Sequence, residues 1–173
     1  SAPSVRYRVV LNNDKEVWVD NPTFYPDPMS IKEAYEPYIK AAIMTPERYL
    51  GAVMELCRER RGVDTTYSFL AAGRMEVTSQ IPLAEVLFDF YDRLKSITQG
   101  YGSFDYELSG YKPGDLVKLD VLVNGLPVDA LSLIVHRDKA FQRGSDLVRK
   151  LKELIPRQMY EVAIQAAIGS RVI

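Results

Sequence analysis

Residues 36–62, EPYIKAAIMTPERYLGAVMELCRERRG, set the pattern for the chain. Tyr38 to Ile43 is an apolar, β-capable run after Pro37, which predicts a strand. Thr45-Pro46 reads as an N-cap followed by proline at the first helical position, where its missing N–H costs nothing. Tyr49, Val53, Leu56 and Arg60 recur at helical spacing with Leu50 and Cys57 beside them, so a helix over 46–60 has one apolar side. Arg58, Arg60 and Arg61 crowd its end and Gly62 follows. That order sets cations on the negative end of the helix and glycine past its last turn.

Working outward, 63–70 and 74–81 are β-rich runs separated by Ala71-Ala72-Gly73, a short glycine-containing turn that predicts a hairpin. Pro82 opens a second helix over 82–98, with Leu83, Leu87, Tyr91, Leu94 and Ile97 in one stripe, widened by Val86 and Phe90, and Gly100 as its stop. Residues 101–108 alternate as a strand. The order βαββαβ over 37–110 is that of a ferredoxin-like, split βαβ domain.

Before it lie two β-rich runs, 5–11 and 16–19, joined by Asn12-Asn13-Asp14-Lys15 as a hairpin that needs a neighbour to lean on. Four prolines in 20–37 predict an extended connector. After it, 116–123 turns Val117, Leu119, Val121 and Val123 one way, and Asn124-Gly125 leads as a hairpin turn into 126–135. A helix over 138–155 is capped by Asp138 and stopped by Pro156. Gly144 lies on its apolar side with Phe141, Val148 and Leu151, which implies close backbone approach. Tyr160, Val162, Ile164, Ala166 and Ile168 alternate inward on a last strand. The fold class expected is α+β: a hairpin remnant (1–19), a connector (20–36), the βαββαβ domain (37–110) and a partial ββαβ domain (111–173). The chain starts in a strand-like run and ends at Arg171-Val172-Ile173 with no closing signal, as a fragment would.

The net charge of −1 hides an asymmetry: residues 111–173 carry +3, while 1–36 and 37–110 carry −2 each, so a polyanion meets the last third first. A single cysteine, Cys57, excludes an internal disulfide, and one His with one Cys cannot assemble a thiolate or imidazole zinc site. No phosphate-cradling glycine loop occurs. His136-Arg137-Asp138 matches the first letters of a kinase catalytic loop, but Arg143 stands where the loop needs asparagine. The carboxylate pairs Glu55/Glu59 and Glu85/Asp89 lie one helical turn apart and read as solvated faces. Nothing here reads as catalytic, and no cofactor or metal is expected within these residues.

Two basic features remain. Dipole complementarity accounts for one or two of Arg58, Arg60 and Arg61; a phosphate-facing corner with Gly62 accounts for all three. The second is the C-terminal set, including His136, Arg137, Lys139, Arg143, Lys150 and Arg157. Lys139, Arg143, Lys150 and Arg157 share or neighbour one face, diluted by Asp146 and Glu153.

At ELCRERRG, at LAEVLFDFYDRLKSITQGYGSFDYEL and at VDALSLIVHRD with LKELIPRQ and IQAAIG, the sequence resembles the elongation factor 4 (LepA) family of translational GTPases over essentially its whole length. The resemblance implies the end of a third domain at 1–19, a domain similar to the fifth domain of elongation factor G at 37–110, and the start of the factor-specific C-terminal domain. It implies a parent GTPase that acts in back-translocation or rescue of stalled ribosomes. GTP and Mg would be bound in a domain upstream of this chain. Its partners would be ribosomal RNA, transfer RNA and ribosomal proteins, in a cytoplasmic protein with a pool on the inner face of the cell membrane. Arg58, Arg60, Arg61 and Gly62 match that family's R-x-R-R-G corner, expected near ribosomal RNA, and the basic positions of 136–157 fall in the domain expected to reach transfer RNA. The competing reading is a free-standing ferredoxin-like regulatory or ligand-sensing module.

Overall fold

A computed structural model describes residues 5–156 and 162–173. In chain order the elements are β1 (Tyr7–Leu11), β2 (Glu16–Val19), β3 (Ile31–Pro46), α1 (Leu50–Glu59), β4 (Val63–Phe69), β5 (Arg74–Pro82), α2 (Leu83–Val86), α3 (Phe90–Ile97) and β6 (Ser103–Pro113). They continue with β7 (Leu116–Val123), β8 (Leu126–Pro127), β9 (Leu133–His136), α4 (Arg137–Glu153), β10 (Ile164–Ile168) and β11 (Arg171–Val172). The protein is α+β with its strands in two sheets. It divides into two compact units, one holding Tyr35–Lys112 and the other Tyr7–Ala34 with Pro113–Ile173.

In the first unit β5 lies between β4 and β3, antiparallel to both, and β6 pairs with β3. Ile39, Ala41 and Ile43 of β3, Val77 and Ile81 of β5, Val53, Leu56 and Cys57 of α1, and Phe90 and Leu94 of α3 form the core. Truncating a fully buried ring such as Phe90 in such a core costs roughly 3–5 kcal/mol. The β4–β5 turn carries Ala72 at φ 57° and Gly73 at φ 73°, as the hairpin requires.

Four local expectations are corrected here. The strand expected from Tyr38 begins at Ile31 and continues to Pro46, because Thr45 and Pro46 pair with Met75 and Arg74 of β5. Thr45 is therefore a buried strand residue. The helix starts at Leu50 after a 3-10 turn over Glu47–Tyr49, with no side-chain cap. The helix expected over 82–98 is two helices: α2 ends at Val86, and Asp89 at φ 46° breaks the path before α3. Tyr91, expected on the apolar stripe, is exposed.

The second unit centres on β7, which pairs with β10 on one side and with β8 and β9 on the other. Asn124 (φ 51°) and Gly125 (φ 81°) both take the left-handed backbone demanded by a tight two-residue hairpin. The strand expected over 126–135 is interrupted. Pro127 offers no ladder donor, β8 stops there, and a 3-10 turn over Asp129–Leu131 intervenes before β9. Leu119, Val121, Ala140, Ala166 and Ala167 are buried. Gly144 bears out its expected role: a Cβ there would sit 2.9 Å from the Ala166 methyl. Phe141, expected beside it, is 69% exposed. The β1–β2 hairpin forms as expected, with Val9 and Val19 buried, and Tyr25 donates to the Leu116 carbonyl at 2.8 Å. Among the described residues no helix is long and apolar enough to cross a membrane.

Candidate functional site

The arginine corner is built by the way α1 ends. Gly62 N–H donates to the Cys57 carbonyl at 2.8 Å and Arg61 N–H to the Arg58 carbonyl at 3.1 Å, the paired bonds of a Schellman motif. The residue in left-handed conformation is Arg61, at φ 59°, not the glycine. Gly62 is needed for a different reason: a Cβ there would meet Ser79 Oγ at 2.5 Å and the Cys57 carbonyl oxygen at 2.7 Å.

Holding Arg61 in that backbone turns its side chain inward. Its two terminal nitrogens donate to Glu36 Oε1 at 2.7 Å and Oε2 at 3.2 Å, and Nε donates to Glu85 Oε1 at 3.3 Å. The Glu36 and Glu85 side chains are 2% and 5% exposed, so one guanidinium serves two buried carboxylates. Burial works against the Arg61 charge, but the hydrogen bonds and charges of Glu36 and Glu85 hold its pKa above the ordinary arginine value.

Arg60 is also internal. It donates to the carbonyls of Glu85 and Phe88, at 2.8 and 2.5 Å, and to Asp89 Oδ1 at 2.8 Å. These are the groups exposed where α2 stops and α3 begins, so Arg60 clamps the break. Only Arg58 of the three faces solvent, and its guanidinium grips Glu55 one turn back.

Sequence reasoning placed Glu85 on a solvated face because, on a continuous helix, it lies opposite Leu83 and Leu87. In the structure Glu85 sits within the short helix α2, buried against Arg61. Glu36, the other counter-ion, carried no signal beyond its place just before Pro37. Cys57, under the corner, is fully buried, and burial pushes its thiol up to about 11 despite a hydrogen bond from Ser79. Nucleophilic use of that thiol is disfavoured at neutral pH.

The second basic set lies along α4, far in sequence from the corner. His136 rather than Asp138 caps the helix: its Nδ1 accepts from Asp138 N–H at 3.1 Å. Arg137 is exposed and donates through Nε to Asp115 at 2.8 Å. Lys139, Arg143 and Lys150 fall on one stripe of the helix, the first two half-buried and Lys150 exposed. Asp146 lies on the same stripe, paired with Arg149 at 3.0 Å. Arg157 lies outside the described residues. The structure thus groups Arg58, Arg60, Arg61 and Gly62 in one corner, and His136, Arg137, Lys139, Arg143 and Lys150 on one helix.

Residues 33–122 match the family described as the elongation factor G C-terminus, and residues 123–173 match that of the GTP-binding protein LepA C-terminus. The first match covers more than half of the chain, and the chain belongs to this family of translation-factor C-terminal regions. Within it the similarity is to elongation factor 4. The chain is 59% identical to elongation factor 4 of Syntrophus aciditrophicus (strain SB), 58% to that of Desulfotalea psychrophila and 56% to that of Bacillus cytotoxicus, in each case over all 173 residues. It spans 29%, 29% and 28% of those relatives' lengths.

Proposed function

We propose that this chain is the ribosome-docking C-terminal part of a translational GTPase like elongation factor 4, whose GTP and Mg sit in a nucleotide-binding domain elsewhere in the parent. In that reading the parent acts on elongating ribosomes by back-translocation or rescue of stalled complexes. The observation that carries it is identity of 54–59% to elongation factor 4 sequences across the whole chain. The order β4-β5-β3 with β6 on the far side of β3, joined by α1 and the α2–α3 pair, supports a ferredoxin-like domain over 37–110.

In this reading the expected RNA contacts are redistributed. Arg60 and Arg61 act as positioning residues, because their donors are committed inside the protein. The phosphate-facing groups proposed are Arg58 at the corner and Lys139, Arg143 and Lys150 on α4. The α4 stripe is the larger contribution, since it belongs to the part of the chain with a net +3 charge.

The test is pelleting of the full-length parent with ribosomes across a salt series, parent against Lys139→Ala/Arg143→Ala/Lys150→Ala. Each phosphate contact removed lowers the slope of log affinity against log salt by roughly one, so a fall of about two to three is expected. An unchanged slope and affinity would sink the assignment of α4 to RNA.

A further inference from the structure

Beyond the basic residues, the first unit carries a surface track in which cations and exposed rings alternate. At one end the Arg48 guanidinium lies 4.7 Å from the Tyr49 ring centroid and 5.2 Å from that of Tyr101. Lys95 Nζ continues the track, reaching the Gly100 carbonyl at 3.3 Å and lying 5.5 Å from the Tyr91 ring. Tyr91 and Phe104 follow with centroids 6.2 Å apart, and Tyr106 stacks on Phe104 at 5.9 Å with 22° between planes. Tyr91, Tyr101 and Tyr106 are 54%, 60% and 52% exposed, far more than large rings in a core. Neither Arg48 nor Lys95 is paired with a carboxylate among the described residues.

The track is held in place. The end of α3 repeats the closure of α1: Gln99 takes φ 50° and Gly100 N–H donates to the Lys95 carbonyl at 2.8 Å. Thr98 Oγ1 donates to the Leu94 carbonyl at 2.7 Å and accepts from Gly102 N–H at 2.8 Å. A Cβ on Gly102 would sit 2.8 Å from that same hydroxyl. Tyr101 is therefore presented from a fixed loop, and little backbone ordering is left to be lost when a partner arrives.

We infer that this track binds single-stranded RNA, its rings stacking on unpaired bases and Arg48 and Lys95 meeting the backbone phosphates. Cations without counter-ions next to exposed π-faces complement a ligand that carries both negative charge and flat rings, and an unpaired RNA segment offers both. A duplex hides its base faces and leaves the rings without a partner. The inference rests on the reading that this chain meets RNA, and it assigns a part of the surface that the arginine corner and α4 do not use.

The experiment is fluorescence anisotropy of the full 173-residue chain with a short labelled oligouridylate and oligoadenylate at low salt, against a blunt RNA duplex of the same length. Both single strands should bind more tightly than the duplex. Tyr101→Ala and Tyr106→Ala should each weaken them roughly tenfold, since each removes a ring on which one base stacks. Tyr101→Phe and Tyr106→Phe keep the ring and should bind like the parent. Both sites are exposed, so folding is not at stake. The inference fails if nothing binds, if the duplex binds as well as the single strands, or if the alanine variants match the parent. Ribosome pelleting separates the two readings: persistent pelleting with a flat oligonucleotide series removes the track and leaves docking. Lost pelleting with the expected oligonucleotide series removes docking and leaves the track.

Discussion

Replacing Arg61 with methionine keeps a Cβ and a long stem at φ 59° but removes the cation that bonds two buried carboxylates. Removing one partner of a buried ion pair costs about 3–5 kcal/mol, because the charge left behind stays buried without that counter-ion. The low exposure of all three side chains, 16%, 2% and 5%, places the cluster in that regime rather than among surface pairs. With an m-value of about 2 kcal/mol/M, the urea midpoint should fall by roughly 2 M with the slope unchanged. Arg58→Met is the matched control, and its midpoint should stay put, since both Arg58 and Glu55 are solvated. Combining Arg61→Met with Glu36→Gln should cost less than the two separate losses together by about 1–3 kcal/mol, as for residues in one network. Far-UV circular dichroism in a urea series measures the parent and all four variants. Strict additivity, or an Arg61→Met midpoint equal to that of Arg58→Met, would refute the clamp.

Gly62→Ala should destabilise by about 1–3 kcal/mol, because its new methyl meets the backbone carbonyl that closes α1; the urea midpoint reports it. The Cys57 thiol, raised by burial from 9 to about 11, favours the native state fully below pH 9 and loses that contribution as pH climbs through 11. Stability should therefore decline over pH 9–11, and Cys57→Ala should flatten the decline in melts taken at fixed ionic strength. His136→Ala should cost about 0.5–2 kcal/mol through the lost cap of α4, measured as a drop in thermal midpoint.

The features legible in the sequence were those decided by neighbours along the chain. Asn124-Gly125 announced its hairpin because only such residues tolerate two successive left-handed positions, and both are found there. Gly144 announced a close approach because glycine on an apolar helical face has no other use, and Ala166 is what it approaches. What misled most was a partner distant in sequence. Thr45-Pro46 has every local mark of a helix start, but nine successive pairings with β5 hold it in the sheet. The three arginines look alike on the page; their different fates depend on Glu36, Glu85 and the carbonyls around Phe88, 24 to 29 residues away for Arg60 and Arg61. Phe141 shares helical spacing with Val148, but it lies on the flank of the side centred on Ala140 and Gly144 and stays in solvent.

The break between α2 and α3 has a consequence for the order in which the protein assembles. Residues 82–98 carry an uninterrupted amphipathic pattern, so a peptide of that span has every local reason to form one continuous helix. The groups that hold the native break come from Arg60, at the end of a different helix. In the native state the shape of the segment is thus completed by the end of α1, which brings that guanidinium alongside. In the language of folding kinetics, contacts at Phe88 and Asp89 belong after the main barrier, and substitutions there should accelerate unfolding while leaving the refolding rate almost untouched.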